Sequence, residues 1–268
     1  MLFLQSRKKI LQEKHYKTIV VSDVHLGTKN SGARQLVRFL KKNSCDTLIL
    51  NGDIIDGWRL KRSGKWQKKH SRFFRLIINL LDQKKTRIIY IRGNHDDFLD
   101  QFIPFTSGKF SIVKDYILES GSMRYYVCHG DIFDLFTSRL GFVAKLGDTV
   151  YTFLLWLNRR INRYRIHKGK PYYSFSQAVK HKVKSAVSFI SNFENEMCRI
   201  ARYNMCHGII CGHIHQPANK MIDHIHYMNS GDWVESMTAL TEDYQGNWEV
   251  YYYIESTPDL SNVVFPEN

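Results

Sequence analysis

Ile91-Arg92-Gly93-Asn94-His95-Asp96 closes an apolar, β-branched and aromatic run, Arg87-Ile88-Ile89-Tyr90, that reads as a strand. Gly93 permits a sharp turn, so an amide, an imidazole and a carboxylate leave the strand end together. Ligands of open α/β sheets bind outside the carboxyl ends of the strands. For one such cluster, a polar turn closing a strand is an equally good reading. Four other strand ends carry the same kind of cargo. Asp23 and His25 follow the strand at 18–22, and Asp53 follows the strand at 47–50. His129 follows the strand at 125–128, and His213 with His215 follows the strand at 208–211. Five clusters, each directly after an apolar run, argue for one shared site.

The 268 residues suffice for a sizeable core, and 43% hydrophobic with 24% charged residues is an ordinary globular composition. Five cysteines form no CxxC pair, and no secretory signal opens the sequence, so reduced thiols and a cytoplasmic location are expected. The apolar run at 150–157 is far short of the ~20 residues a membrane-spanning helix needs. The net charge of +14 is unevenly placed. Residues 135–205 hold 13 Lys or Arg against Asp148, Glu194 and Glu196, and residues 1–17 hold five against Glu13. Those two stretches account for the whole excess, so a basic partner surface belongs to them and not to the sheet-bearing body.

Along the chain, residues 1–16 read as a basic lead-in and 17–268 as a single domain. Helical periodicity marks 33–42 and 66–83, the latter with Phe73, Phe74, Ile77, Ile78 and Leu81 on its apolar side. A short helix at 98–102 precedes Pro104, and strands are expected at 116–119, 220–222, 224–228 and 248–254. Residues 135–205 break the β pattern and read as a helical insert, rich in Leu, Phe, Trp and Tyr as well as in Lys and Arg.

The clustered side chains offer carboxylate and amide oxygen plus imidazole nitrogen, with no thiolate. That set suits Mn²⁺ foremost, with Fe or Zn²⁺ also served, and argues against a Cys-built structural zinc site. Asp23, His25, Asp53, Asn94, His129, His213 and His215 are too many for one tetrahedral ion and about right for two ions sharing a carboxylate.

The five motifs, in this order, resemble those of the calcineurin-like metallophosphoesterase superfamily. The resemblance implies an α+β fold, a four-layer αββα sandwich of two mixed sheets. It implies one divalent ion on Asp23, His25, Asp53 and His215, and a second on Asp53, Asn94, His129 and His213, with Asp53 as the bridge. It also implies in-line attack of an activated water on phosphorus. His95, beside a ligand, is then placed for general acid work or transition-state stabilisation, and Asp96 could orient it. A helix N-cap is the competing role for Asp96.

Within the superfamily the chain is most similar to the UDP-2,3-diacylglucosamine pyrophosphohydrolase group. The carriers are Ser22-Asp23-Val24-His25-Leu26-Gly27, Gly52-Asp53-Ile54-Ile55-Asp56-Gly57-Trp58, His129-Gly130-Asp131, Gly212-His213-Ile214-His215-Gln216-Pro217 and Asn229-Ser230-Gly231-Asp232-Trp233. His95 stands where that group's well-characterised branch has Arg, which sets this chain in a related branch. The resemblance implies cleavage of a nucleotide-linked lipid to UMP and a sugar 1-phosphate. Residues 135–205 would form a lid, and the protein would sit peripherally on an anionic membrane face. Trp58, Arg92, Arg159 and Arg163 are the expected substrate contacts. The alternative is a phosphodiesterase or nuclease, because basic and aromatic residues in the insert also suit nucleic acid.

Overall fold

A computed structural model describes residues 14–62, 64–83, 85–133 and 176–253, with backbone alone for 176–188. Three strands of the first sheet, β1 (Lys14–Val21), β2 (Asn43–Asn51) and β3 (Arg87–Ile91), run parallel side by side. Their apolar residues alternate between two cores. Ile19, Val21, Leu48, Leu50, Ile88 and Tyr90 face one way, and Val20, Ile49, Ile89 and Ile91 face the other. Both faces are buried, which is why these strands read as continuous apolar runs. Strand β1 begins at Lys14, inside the stretch read as lead-in.

The first face is covered by α1 (Ala33–Lys42) and by α3 (Lys68–Asp82). Helix α1 buries Leu36, Phe39 and Leu40, and Lys41 and Lys42 suit the negative end of its dipole. Helix α3 buries His70, Phe73, Ile77 and Leu80. It starts two residues later than the periodicity predicts, because Gln67 caps it through a reciprocal bond pair with His70. Ile78, placed on the apolar side by periodicity, is 63% exposed, on the flank of the buried stripe. Between these two helices lies a short helix, α2 (Gly57–Arg62), which the sequence reading passed over.

After β3, a 3₁₀ helix (Asn94–Phe102) kinks at Asp96. A hairpin of β4 (Phe105–Ser107) and β5 (Phe110–Val113) adds the parallel strand β5 beside β3. The second sheet is built from β6 (Asp115–Ser120), β7 (Met123–Cys128), β8 (Gly208–Cys211), β9 (Ala218–Ile222) and β10 (Ile225–Asn229). Its order is β6-β7-β8-β10-β9, with β7, β8 and β10 parallel. The chain then returns to the first sheet through β11 (Thr238–Glu242) and β12 (Trp248–Tyr252), giving the order β12-β11-β1-β2-β3-β5-β4.

Leu118, Tyr125, Val127, Ile210 and Met228 of the second sheet meet the inward face of the first. The outer face of the second sheet is covered by α4 (Ser176–Tyr203), through Phe193, Met197, Cys198 and Ala201. Helix, sheet, sheet and helix thus enclose three apolar layers, the expected αββα sandwich. The insert expected at 135–205 is helical over 176–203 and ends in a turn at 204–205, and the expectation for 135–175 lies outside the described residues.

Candidate metal centre

The carboxyl ends of β1, β2 and β3 lie on one edge of the first sheet, and those of β7 and β8 meet them from the second. Backbone bonds stitch neighbouring strand ends together within each sheet. Asp23 donates its N–H to Gly52 O at 3.0 Å, His25 to Asp53 O at 2.9 Å, and Gly212 to His129 O at 2.9 Å. Asp23, His25, Asp53, His213 and His215 all adopt left-handed backbone, with φ between 50° and 67°. Such conformations cost about 1–3 kcal/mol each and persist where the surroundings over-determine them. Five of the seven candidate ligands are held this way, which aims their side chains inward from the strand ends. The glycines beside them leave the room. A Cβ on Gly93 would stand 2.5 Å from Asp53 N, and one on Gly212 would stand 2.6 Å from Asp23 Oδ2.

Asp53 is the hub. Its Oδ2 lies 3.4 Å from His129 Nε2, 3.9 Å from His95 Nε2 and 4.0 Å from His25 Nε2. Its Oδ1 accepts the His95 backbone N–H at 2.8 Å. Asp23 Oδ1 lies 3.1 Å from His215 Nε2 and 4.0 Å from His25 Nε2, and Asp23 Oδ2 accepts the His213 N–H at 3.0 Å. His129 Nδ1–H donates to Asn51 O at 2.9 Å, which turns Nε2 toward Asp53. The ligand atoms of Asp23, His25 and His215 fall within 4.8 Å of one another, and so do those of Asp53, His129 and His213.

Burial opposes charge on all these groups, and their mutual field decides the outcome. Asp53 is held well below the ordinary carboxylate range by His129, His25 and His95, against its own burial. Asp23 is lowered to about 2, chiefly by His215, again against burial. The same contacts act on the partners. His129 is raised to about 10 and His215 to about 9, their burial outweighed by Asp53 and Asp23. His25 goes the other way, because burial dominates.

His95 is half-buried and makes its specific contact outside the cluster. Its Nδ1–H donates to Asp56 Oδ1 at 3.0 Å, and its pKa is raised by that bond and by Asp53, against burial. Trp58 covers its ring at 4.3 Å between centroids, with the indole Nε1–H on Asp97. Asp56 is therefore the residue that orients His95, and the sequence reading missed it. Its signal was present three residues after Asp53 in the Gly52–Trp58 block. Asp96 plays neither of its expected roles. Its carboxylate accepts the N–H groups of Ile54 and Ile55 and the hydroxyl of Tyr90, so it holds the Asp53 loop. Burial, with Asp53 beside it, raises Asp96 to about 7.

A model of the calcineurin-like phosphoesterase family matches residues 16–217. The chain belongs to that family. As a calcineurin-like phosphoesterase it is a metal-dependent hydrolase. No curated protein matches the chain. Solved structures that align with it include an archaeal phosphodiesterase at 12% identity, covering 88% of this chain and 98% of that one, TM-score 0.40. The phosphoesterase Yfce from E. coli aligns at 11% identity over 88% and 99%, TM-score 0.38. Vacuolar protein sorting 29 from Cryptosporidium parvum aligns at 10% identity over 87% and 94%, TM-score 0.40.

The family implies divalent metals, and the residues present fit them. Asn94 Oδ1 is buried without a hydrogen-bond partner among the described residues, and Asp23 Oδ1 and His129 Nε2 are buried against the charged partners His215 and Asp53, an arrangement that a cation resolves. Six of the seven candidate ligands are thus brought together, and Asn94 follows Gly93, where a Cβ would meet Asp53 and His129. Of the expected substrate contacts, Trp58 lies against His95. The Arg92 guanidinium is paired with Asp131 and, at 3.0 Å, with Asp100, joining the Asn94 loop to the His129 loop. Arg159 and Arg163 lie outside the described residues. Trp233 is fully buried against Phe39 and belongs to the core.

Proposed function

We propose that this calcineurin-like phosphoesterase is a dimetal pyrophosphohydrolase. Its substrate would be UDP-2,3-diacylglucosamine or a related nucleotide-linked lipid, cleaved to UMP and a sugar 1-phosphate. The observation that carries the dimetal reading is that Asp53 Oδ2 lies 3.4 Å from His129 of one ligand group and 4.0 Å from His25 of the other. Asp23, His25, Asp53 and His215 would hold one cation, and Asp53, Asn94, His129 and His213 the other. When bound, the two cations lower the pKa of the attacking water and neutralise charge that develops on the phosphoryl oxygens.

The chain's own residues do the rest. Asp56 fixes the His95 ring through Nδ1, leaving Nε2 toward the centre, 3.9 Å from Asp53 Oδ2. Asp56 and Asp53 raise the His95 pKa against its burial, which favours the protonated ring whose Nε2–H would donate to the leaving oxygen. Trp58 covers one face of the ring and limits its rotation. Asn51 O takes the Nδ1–H of His129, so it is Nε2 that faces the centre and that would hold a cation once its proton is released. The substrate assignment is supported by the sequence blocks around Asp53, His213 and Asn229. It is also supported by the basic charge of 135–205, which suits attraction to an anionic lipid surface.

The test is a substrate panel with Mn²⁺: the UDP-diacylglucosamine, a cyclic dinucleotide, single-stranded DNA and an aryl phosphodiester. The expected result is UMP release from the first at a kcat/KM well above the others. Preferential cleavage of the DNA or the cyclic dinucleotide would replace this reading with the phosphodiesterase or nuclease alternative. No hydrolysis of any of the four would remove the dimetal reading.

A further inference from the structure

Among the described residues, a cavity of about 560 Å³ opens beside His213 and His215. The loop after β8 gives it Ile214, Gln216 and Pro217, and the loop after β10 gives it Asp232 and Glu235. Asp232 is spent on the wall itself. Its Oδ1 accepts the N–H groups of Val234 at 2.7 Å and Glu235 at 2.5 Å, and its Oδ2 accepts from Ser236. That turn presents the side chain of Glu235. The carboxylate of Glu235 and the amide of Gln216 are exposed, with no partner among the described residues. His215 joins the cavity to the candidate metal centre, its side chain 38% exposed here and its Nε2 on Asp23.

Four properties limit what the cavity can take. The volume is in the range of small-molecule sites and much larger than one phosphate. Two carboxylates in the wall disfavour a second anionic group. Glu235 accepts from hydroxyls, and Gln216 both donates and accepts. Ile214 and Pro217 offer apolar surface to the C–H face of a ring. We propose that this cavity is a subsite for a polyhydroxylated ring, a pentose or hexose, esterified to the phosphorus held at the metal centre. The proposal rests on the phosphoesterase reading above and adds which substituent lies on the His215 side.

Three p-nitrophenyl phosphodiesters test it, with 5′-uridine, 1-glucose or ethyl as the second group. Wild-type protein should show a KM for the uridyl or the glucosyl diester about tenfold or more below that for the ethyl diester, as hydrogen bonds to a charged group allow. The better of the two arms identifies the ring. Glu235→Ala and Gln216→Ala should each raise KM for that diester about tenfold more than for the ethyl diester. Both residues are exposed, so the fold should survive the changes. In parallel, metal-free wild-type protein titrated with uridine and with methyl glucoside should show amide shifts confined to 214–216 and 232–236. Equal KM for all three diesters, or variants that slow all three equally, would overturn the subsite and leave the phosphoesterase reading standing. If no diester is cleaved, these diesters are not substrates, and the titration alone then decides the subsite.

Discussion

Asp53 Oδ2 faces three imidazoles within 4.0 Å, whereas His25 serves only one of the two proposed ions. Asp53→Ala should therefore lose both metals, and His25→Ala should keep partial occupancy. Metal analysis giving two full equivalents in Asp53→Ala would remove the bridge. His95 is separable from the ligands, because its held contact is to Asp56. His95→Ala should keep metal content and KM while kcat falls by ~10²–10⁴. Asp56→Asn should cost less and move the alkaline limb of kcat to lower pH. His95 donates only when protonated, and Asp56 is what raises its pKa. An unmoved limb would mean that another group sets it. At this scale the candidate ligands were legible because each follows an apolar run. Asp56 and Asp96 were not, because apart from Tyr90 the partners that give them their roles lie 39 to 42 residues away and only the fold chooses between the two carboxylates.

Secondary elements were legible where periodicity was strong and lost where it was not. Strand β11, Thr-Ala-Leu-Thr-Glu, reads as polar, yet all five residues are buried. Its Glu242 is paired with Lys17 of the adjacent strand β1 at 2.8 Å. A buried, paired polar strand has no alternation to detect. The helix covering the second sheet was legible as a helix, but its part in the site was not. Phe193 of α4 is fully buried, lies against Gly130, and has its ring 6.2 Å from that of His213. The helix thus props the ends of both β7 and β8. Phe193→Ala should destabilise the protein by about 3–5 kcal/mol in urea unfolding. It should also weaken metal binding, because His213 loses its backing. A variant destabilised by that amount with unchanged metal affinity would show that α4 supports the fold alone.

For the whole molecule, the sequence located the charge but not the balance inside the centre. Two fully buried carboxylates, Asp23 and Asp53, repel each other, and without cations His129 and His215 compensate by holding protons. Those histidines rise from 6.5 to about 10 and about 9 on folding. A group raised in the folded state contributes stability that is complete below its unfolded pKa and disappears as pH climbs through the folded value. Tm of the chelated protein should therefore fall between pH 6.5 and pH 10. The carboxylates contribute in the opposite direction, losing their share only as pH drops below about 4 toward the folded values. Bound cations need unprotonated imidazoles, so metal uptake at pH 7.5 should release protons, and affinity should rise with pH. The gap in Tm between Mn²⁺-loaded and chelated protein should accordingly widen as pH increases. Calorimetric titration in buffers of different ionisation enthalpy counts the protons, and paired melting curves measure the gap. A chelated protein with flat Tm from pH 6.5 to 10, or metal binding without proton release, would mean that the buried carboxylates are neutralised by something other than His129 and His215.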